Sequence, residues 1–257
     1  MVRLRAPTVA EYAAPRVTGA APGWLPPGRR VYAVGDVHGC ADALRAVFAG
    51  IAADLAARPS AAEIVLLGDY IGYGPDSAGV LSLLAAGGPA PLVALRGDHE
   101  QRLLDAVSGS APDATDFRAD GGQAALASWG IGADAPAGEW PARIPAAQLA
   151  FLRGLKLSHR AGSYLFVHAG LRPGVAVSRQ RRTDVLTIRR PFLSVESDFG
   201  AIVVHGHSVT PAPEITVRRI GLDTGAGLGG ALTYAVLEGE TIACFAVPTL
   251  PGDVAGR

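Results

Sequence analysis

Three apolar segments in the first half of the chain each end in Gly-Asp, and a stretch with helical periodicity follows each of them. After the first segment, apolar residues recur every three or four positions between Leu44 and Leu55, which is typical of an amphipathic helix that ends before Pro59. Strands that alternate with helices predict an α/β fold with a mostly parallel sheet and helices outside it. The three segments are RRVYAVGD (29–36), EIVLLGD (63–69) and PLVALRGD (91–98).

The remainder of the chain departs from this alternation. Residues 108–158 are rich in small residues and contain short helical stretches, so we expect an inserted helical cap. Strands without long helices follow, which predicts a second sheet packed on the first. Residues 1–28, with prolines and glycines crowded near APGWLPPG, are predicted to form an irregular N-terminal arm before a domain at 29–257.

The charge balance excludes some classes of partner. The formal net charge is zero at pH 7, whereas a nucleic-acid or anionic-membrane surface needs a basic face. Cys40 and Cys244 lack the spacing of a disulfide framework, so we expect reduced thiols. The longest apolar runs have the length of strands rather than the roughly 20 residues of a membrane span, and the N-terminus resembles no secretory signal. These features predict a cytoplasmic protein, and the abundance of Ala, Gly, Pro and Arg suggests a bacterial source.

Acidic and histidine side chains follow the ends of five predicted strands. In open α/β sheets, ligands bind beyond the carboxyl ends of the strands, so we expect these side chains to converge on one place. Glycine stands beside each cluster and allows the backbone to turn sharply just past the strand. The residues in these clusters are Asp36, His38, Asp69, Asp98, His99, His168 and His207.

This set of side chains indicates a metal centre. Carboxylates and imidazoles without cysteine suit Mn, Fe, Zn or Ni, and do not suit a thiolate zinc site. The ligands are numerous enough for two divalent ions if one carboxylate bridges them. Two ions roughly 3.5–4 Å apart can clamp a phosphoryl group and lower the pKa of a water between them. That water would be the nucleophile, and a nearby histidine would protonate the leaving group.

The order of these motifs resembles that of the calcineurin-like metallophosphoesterases. The resemblance is carried by GDVHG (35–39), GD (68–69), GDHE (97–100), HAG (168–170) and GH (206–207). Segments such as GGQAALASWG and LDTGAGLGGALT are similar to the bacterial branch of the Ser/Thr phosphoprotein phosphatases, near the diadenosine tetraphosphatases. This resemblance implies an α/β/β/α sandwich of two mixed sheets, with a dinuclear site at one edge.

The resemblance also implies a role for each residue of the site. Asp69 would bridge the two ions, His99 would be the general acid, and Arg189 would bind phosphate. The match of Arg189 is to a WxR segment of the family, although Thr187 stands where that segment has tryptophan. The remaining ligands would be Asp36 and His38 at the first ion, and Asp98, His168 and His207 at the second.

Three further residues depart from the family pattern. GDxVDRG is GDYIGYG here, so Gly72 replaces an aspartate and Tyr73 replaces an arginine, while GNHE is GDHE, so Asp98 replaces an asparagine. In the family, the aspartate orients the general acid and the arginine binds phosphate oxygens. The site therefore loses about one unit of positive charge, which disfavours a dianionic monoester more than a monoanionic diester. A trivalent iron in one position would offset this change.

These observations predict a dinuclear metal-dependent phosphatase that hydrolyses phosphate monoesters, like a Ser/Thr protein phosphatase, by attack of a metal-bound hydroxide. The Gly72–Tyr73 loop also resembles a branch that includes phosphodiesterases, in which Tyr73 would stack on a base or donate its hydroxyl to phosphate. A phosphodiesterase or a dinucleoside polyphosphate hydrolase is therefore the alternative, and a weakly active or non-catalytic metal-binding homologue is another. The expected substrate is a phosphorylated small molecule, a nucleotide or a phosphoprotein.

Overall fold

The computed structural model describes residues 14–109 and 111–249 of the protein. Within these ranges the secondary structure consists of strands in two sheets and of helices around them. Along the chain the elements are β1 (Val17–Ala20), β2 (Arg29–Val34), α1 (Ala41–Ala57), β3 (Ala61–Leu66), α2 (Ser77–Ala86), β4 (Leu92–Ala94), α3 (Asp98–Val107), α4 (Ala111–Phe117), α5 (Gln123–Ser128), α6 (Trp140–Arg143), α7 (Ala146–Arg153), β5 (Ser158–Ala161), β6 (Tyr164–Val167), α8 (Arg182–Thr187), β7 (Ile202–His205), β8 (Glu214–Ile215), β9 (Arg219–Gly221), β10 (Asp223–Thr224), β11 (Ala231–Glu238) and β12 (Thr241–Pro248).

The first sheet has the strand order β1-β12-β11-β2-β3-β4, and β10 pairs with β11. Strands β2, β3 and β4 are parallel, as the alternation of strands and helices predicts. Strands β11 and β12 form an antiparallel hairpin, and β11 lies against the free edge of β2. The prediction that all the C-terminal strands form the second sheet is therefore wrong for β10 and for this hairpin. Its side chains are apolar on both faces, since Tyr234 packs against the helices and Ala235 against the second sheet.

The second sheet has the strand order β5-β6-β7-β9-β8 and packs face to face on the first. Alternate residues of β6 face opposite sides of this sheet. Phe166 joins the core between the sheets, whereas Leu165 and Val167 pack against Val185 of α8. The other face of the first sheet is covered by α1, α2 and the helices that follow them. The predicted α/β/β/α sandwich of two mixed sheets is confirmed.

The N-terminal segment is partly regular. Residues 17–20 form β1, which pairs antiparallel with β12 from Val17 opposite Cys244 to Ala20 opposite Thr241. The prediction of an irregular arm is therefore wrong for these residues, because the outer edge of β12 offers them backbone partners. Residues 1–13, the first part of the predicted arm, lie outside the described residues.

The segment predicted as a cap forms short helices that share the main core. Phe117, Leu126 and Trp140 are buried in the same cluster as residues of α1 and α2. Between α4 and α5 the chain kinks at residues 118–122, where Asp120 and Gly121 leave helical geometry. This kink lies beside the carboxyl ends of the strands, and a role as a cap stays a prediction. No helix within the described ranges has both the length and the apolar composition needed to cross a membrane.

Candidate metal centre

Sharp backbone turns place three of the predicted ligands just beyond the carboxyl ends of strands. His38 follows β2, Asp69 follows β3 and His207 follows β7, with φ angles of 43°, 50° and 60°. Within the described part of the chain, these are the non-glycine residues with positive φ. This region is sparsely populated by L-residues and is found chiefly where the surrounding structure and function require it. The first two turns are joined, because the amide of His38 donates to the carbonyl of Asp69 at 2.8 Å.

One group of ligand atoms is formed by four buried residues. Asp98 Oδ1 lies 3.2 Å from His168 Nε2 and 3.0 Å from His207 Nδ1. Asp69 Oδ2 lies 3.5 Å from the same His168 Nε2. All four side chains offer an atom within 4.8 Å of one another. Such spacing around a common centre, with two anionic and two imidazole ligands, fits one transition-metal ion.

Asp69 also belongs to a second group. Its Oδ2 atom lies 3.5 Å from His38 Nε2, and His38, Asp69 and His99 again offer atoms within 4.8 Å of one another. The same carboxylate oxygen therefore faces His38 on one side and His168 on the other. A second ion on the His38 side would share Asp69 with the first.

Backbone carbonyls fix the tautomers of two of these histidines. His168 Nδ1 lies 2.9 Å from the carbonyl oxygen of Leu67, and His38 Nδ1 lies 3.0 Å from that of Ile71. Because a carbonyl only accepts hydrogen bonds, each Nδ1 carries a proton, and Nε2 is the nitrogen that would offer its lone pair to a metal ion once the imidazole is neutral. Metal-binding histidines are usually oriented in this way. The residues present therefore fit a pair of metal ions.

Asp36 lies next to these groups but is not one of their members. Its Oδ2 accepts a hydrogen bond from the amide of His207 at 2.9 Å. Its Oδ1 is buried and has no hydrogen-bond partner within the described residues. A buried carboxylate oxygen without a donor is costly, so an ion would offset this cost. The assignment of Asp36 to the first ion stays a prediction.

The electrostatics of the free protein favour the entry of cations. Burial raises the pKa of Asp69 well above its ordinary value, and the carboxylates of Asp98 and Glu100 raise it further. Burial also raises the pKa of Asp36, to which the carboxylate of Asp223 adds. Burial alone would lower the pKa of His168, but its hydrogen bond to Asp98 raises that pKa to about 9. Divalent ions would replace these protons and neutralise the crowded carboxylates.

Metal binding should therefore release protons at neutral pH. The free protein holds a proton on His168, because the pKa of this side chain is about 9, and a metal ion binds only the neutral imidazole. The affinity for Mn²⁺ should rise by about tenfold per pH unit as pH increases toward that pKa. Calorimetric titration with Mn²⁺ in two buffers of different ionisation enthalpy measures the proton release. The control is His159→Gln, which removes a histidine that pairs with Glu63 outside these groups, and it should release the same number of protons. A heat of Mn²⁺ binding that does not depend on the buffer would contradict the prediction.

A cavity of about 240 Å³ opens over the ligand groups. The predicted substrate-binding residues Tyr73 and Arg189 both line it, as does His99. Arg189 is oriented by a 3.2 Å hydrogen bond from its Nη2 to the carbonyl of His207. The Tyr73 ring packs against those of His38 and His99, with centroids 5.1 and 5.2 Å apart. The structure thus brings the predicted residues together, while their roles in catalysis and substrate binding stay predictions.

Three further polar residues line this cavity and lie outside the motifs that predict the site. Asp223 follows β9 at the end of an apolar strand, in the same position as the predicted ligands, and that pattern would have identified it. Arg102 lies one helical turn after Asp98 on α3, so helix periodicity would have indicated it. Asp120 comes from the kink between α4 and α5. No local pattern marks it, since its position depends on the tertiary packing of that segment.

A family model described as calcineurin-like phosphoesterase matches residues 29–228, which is most of the chain. The chain therefore belongs to the calcineurin-like phosphoesterase family. The resemblance predicted from the motifs, and the enzyme class that it implies, are confirmed at this level.

Individual relatives carry two different names. A symmetrical bis(5'-nucleosyl)-tetraphosphatase from Dechloromonas aromatica is 36% identical over 165 residues, which is 62% of this chain and 51% of the relative. Serine/threonine-protein phosphatase 1 from Salmonella typhimurium is 40% identical over 82 residues, which is 32% of this chain and 35% of the relative. The chain thus matches about half, or less, of the length of these curated relatives.

Solved structures share the architecture. The crystal structure of a candidate diadenosine tetraphosphatase has a TM-score of 0.63 and 25% sequence identity, and the match covers 87% of this chain and 95% of that one. A mutant of a cold-active protein tyrosine phosphatase has a TM-score of 0.57 at 16% identity, covering 86% of this chain and 80% of that one. The second likeness concerns the fold alone.

Proposed function

We propose that the protein is a dinuclear metal-dependent phosphoesterase that hydrolyses a phosphoric anhydride or diester in a nucleotide, such as a dinucleoside polyphosphate. The observation that carries this proposal is the position of Asp69, whose Oδ2 lies 3.5 Å from both His38 Nε2 and His168 Nε2. Ions from the series Mn, Fe, Zn and Ni, when bound there, would supply a water of lowered pKa and neutralise charge on the phosphate.

Protein groups on the cavity wall would bind the phosphate and protonate the leaving group. The guanidinium of Arg189, held by the carbonyl of His207, would donate to phosphate oxygens. His99 would protonate the leaving oxygen through Nε2. Burial lowers the pKa of His99 to about 3, and the proximity of His38 adds to this effect. The negative charge of a bound phosphate would raise this pKa again and favour the proton that the reaction needs.

Charge favours a substrate whose reacting phosphate carries one negative charge. A cation is missing at Tyr73 relative to the family pattern, and Asp98 adds a carboxylate. An internal phosphate of a dinucleoside polyphosphate carries one negative charge, like that of a diester, whereas a terminal monoester phosphate carries up to two. The similarity to a symmetrical bis(5'-nucleosyl)-tetraphosphatase supports the same substrate class.

The residues around the cavity support a position for the nucleoside of such a substrate. Beyond Arg102 lies a second hollow lined by the acidic residues Asp105, Asp113 and Asp116, which would repel an anionic chain. Val209 and Leu228 also line the first cavity, with 56% of each residue exposed. We infer that the nucleoside lies against these apolar side chains.

Phosphate monoesters, including phosphoproteins, remain the second candidate substrate class. It is supported by the similarity to serine/threonine-protein phosphatase 1 and by the motifs shared with that branch. A non-catalytic homologue is the third candidate, because Gly72 removes the aspartate that orients the general acid in the family.

The three candidates differ in a direct assay. With Mn²⁺, we expect kcat/KM for diadenosine tetraphosphate and bis-p-nitrophenyl phosphate to exceed that for p-nitrophenyl phosphate by about tenfold, because the added carboxylate of Asp98 repels a dianion more than a monoanion. Metal analysis accompanies the assay. A preference for p-nitrophenyl phosphate would establish the monoesterase instead. Two bound ions without turnover on any of the three compounds would establish the non-catalytic homologue.

A further inference from the structure

Arg102 connects three parts of the site that are distant in sequence. Its Nη2 lies 3.3 Å from Asp98 Oδ2, and its Nη1 lies 2.6 Å from Asp120 Oδ2. The hydroxyl of Tyr73 donates to the other oxygen of Asp120. Asp120 Oδ2 also lies 3.9 Å from His99 Nε2. The N-terminus of α3 and the kink between α4 and α5 therefore meet at this guanidinium group, and the loop after β3 joins them through Asp120.

We propose that Arg102 is the phosphate-binding cation that replaces the arginine missing at position 73, and that Asp120 is its positioning residue. Arg102 lines the cavity beside His99 and is partly exposed, with 38% of its side chain accessible. A guanidinium has five N–H donors in a planar fork. The two ion pairs leave donors free for the oxygens of a phosphate. This inference rests on the proposed phosphoesterase function.

The aspartate at position 98 matches this arrangement better than an asparagine would. Asp98 Oδ1 faces His168 and His207, where an ion would bind, while Oδ2 faces Arg102. An asparagine that kept its oxygen toward the ion would direct its NH₂ group at the guanidinium, and both groups are donors only. The added carboxylate therefore forms part of the Arg102 site as well as of the metal centre.

The kink that carries Asp120 is also fitted to Tyr73. Gly121 has a φ of 76°, and a Cβ atom on this residue would lie 2.6 Å from Cδ1 of Tyr73. Glycine is therefore required for the Tyr73 ring to lie against the kink, which brings its hydroxyl to Asp120. Tyr73 therefore acts on Arg102 through Asp120. The family pattern has an arginine at position 73 instead.

Binding of inorganic phosphate to the Mn²⁺-loaded protein tests the role of Arg102. We expect Arg102→Met to retain two ions and to raise the phosphate Kd by about tenfold, with a similar rise in KM for bis-p-nitrophenyl phosphate and a smaller change in kcat. Asp120→Asn and Tyr73→Phe should each raise the Kd by about threefold, because they loosen the guanidinium without removing it. The control is Arg45→Met, which removes an exposed arginine paired with Asp42.

Two further variants keep the test decisive. Arg102→Lys preserves the positive charge beside Asp98. It is the variant to measure if Arg102→Met fails to fold or to bind metal. The phosphate Kd of Arg102→Lys should rise about threefold, because lysine lacks the planar fork of donors. Tyr73→Arg combined with Arg102→Met should restore phosphate affinity. Unchanged phosphate affinity in Arg102→Met or Arg102→Lys with both ions bound, or no phosphate binding by the wild type, would overturn the proposal. A wild type that binds phosphate without hydrolysing any ester would instead refute the proposed function alone.

Discussion

Replacement of Asp69 by asparagine should lower the metal content from two ions to one or none and reduce phosphoesterase turnover by about a thousandfold, or about 4 kcal/mol. Asp69 Oδ1 accepts a hydrogen bond from the amide of His99 at 3.1 Å, and Oδ2 faces His38 and His168. An asparagine would keep its oxygen toward that amide, because only the oxygen accepts. Its NH₂ group would then point at both metal positions, where a ligand must donate a lone pair.

The Asp69→Asn experiment combines metal analysis with turnover of bis-p-nitrophenyl phosphate after dialysis against Mn²⁺. Asp42→Asn is the matched control, since Asp42 is an exposed aspartate on α1 that pairs with Arg45 at 2.6 Å. The control should keep both ions and wild-type turnover. Two ions and undiminished turnover in Asp69→Asn would show that this carboxylate does not bridge the centre.

The candidate metal centre is largely predictable from sequence because its residues follow local rules. Gly-Asp at the end of an apolar strand identifies Asp69 and Asp98, and parallel strands bring such ends to one edge of a sheet. The same rule would have identified Asp223. Local patterns also predict the parallel strands β2, β3 and β4, because hydrophobic runs alternate with helical periodicity.

Other features depend on packing between distant segments. The β11–β12 hairpin joins the first sheet because β11 pairs with the free edge of β2. No local pattern within the hairpin sequence indicates this pairing. The cavity wall that carries Tyr73 and Asp120 also depends on such packing. Asp120 is carried by a kinked segment 47 residues beyond Tyr73, and only the folded core of α4 to α7 brings the two together. The departures at Gly72 and Tyr73 are visible in the sequence, but the residues that surround them are not.

Replacement of Glu100 by glutamine should lower the free energy of unfolding by about 2–6 kcal/mol, a large part of the roughly 5–15 kcal/mol typical of a domain. Glu100 is fully buried. Its Oε2 accepts from the amides of Gly97 at 2.8 Å and Asp69 at 2.9 Å, and its Oε1 accepts from Tyr70 at 2.7 Å and Ile71 at 3.3 Å. Glutamine replaces one acceptor oxygen by an NH₂ group, so two buried backbone donors would lose their partner.

Urea denaturation of Glu100→Gln in the presence of a chelator measures this loss without the contribution of bound metal. Glu139→Gln, at an exposed glutamate, is the matched control and should unfold at the wild-type urea concentration. Because Glu100 holds the turns that carry Asp69 and Asp98, the variant should also bind Mn²⁺ more weakly than the control. An unchanged midpoint with weaker Mn²⁺ binding would mean that this carboxylate acts on the metal centre by charge, and that its hydrogen bonds add little to the fold.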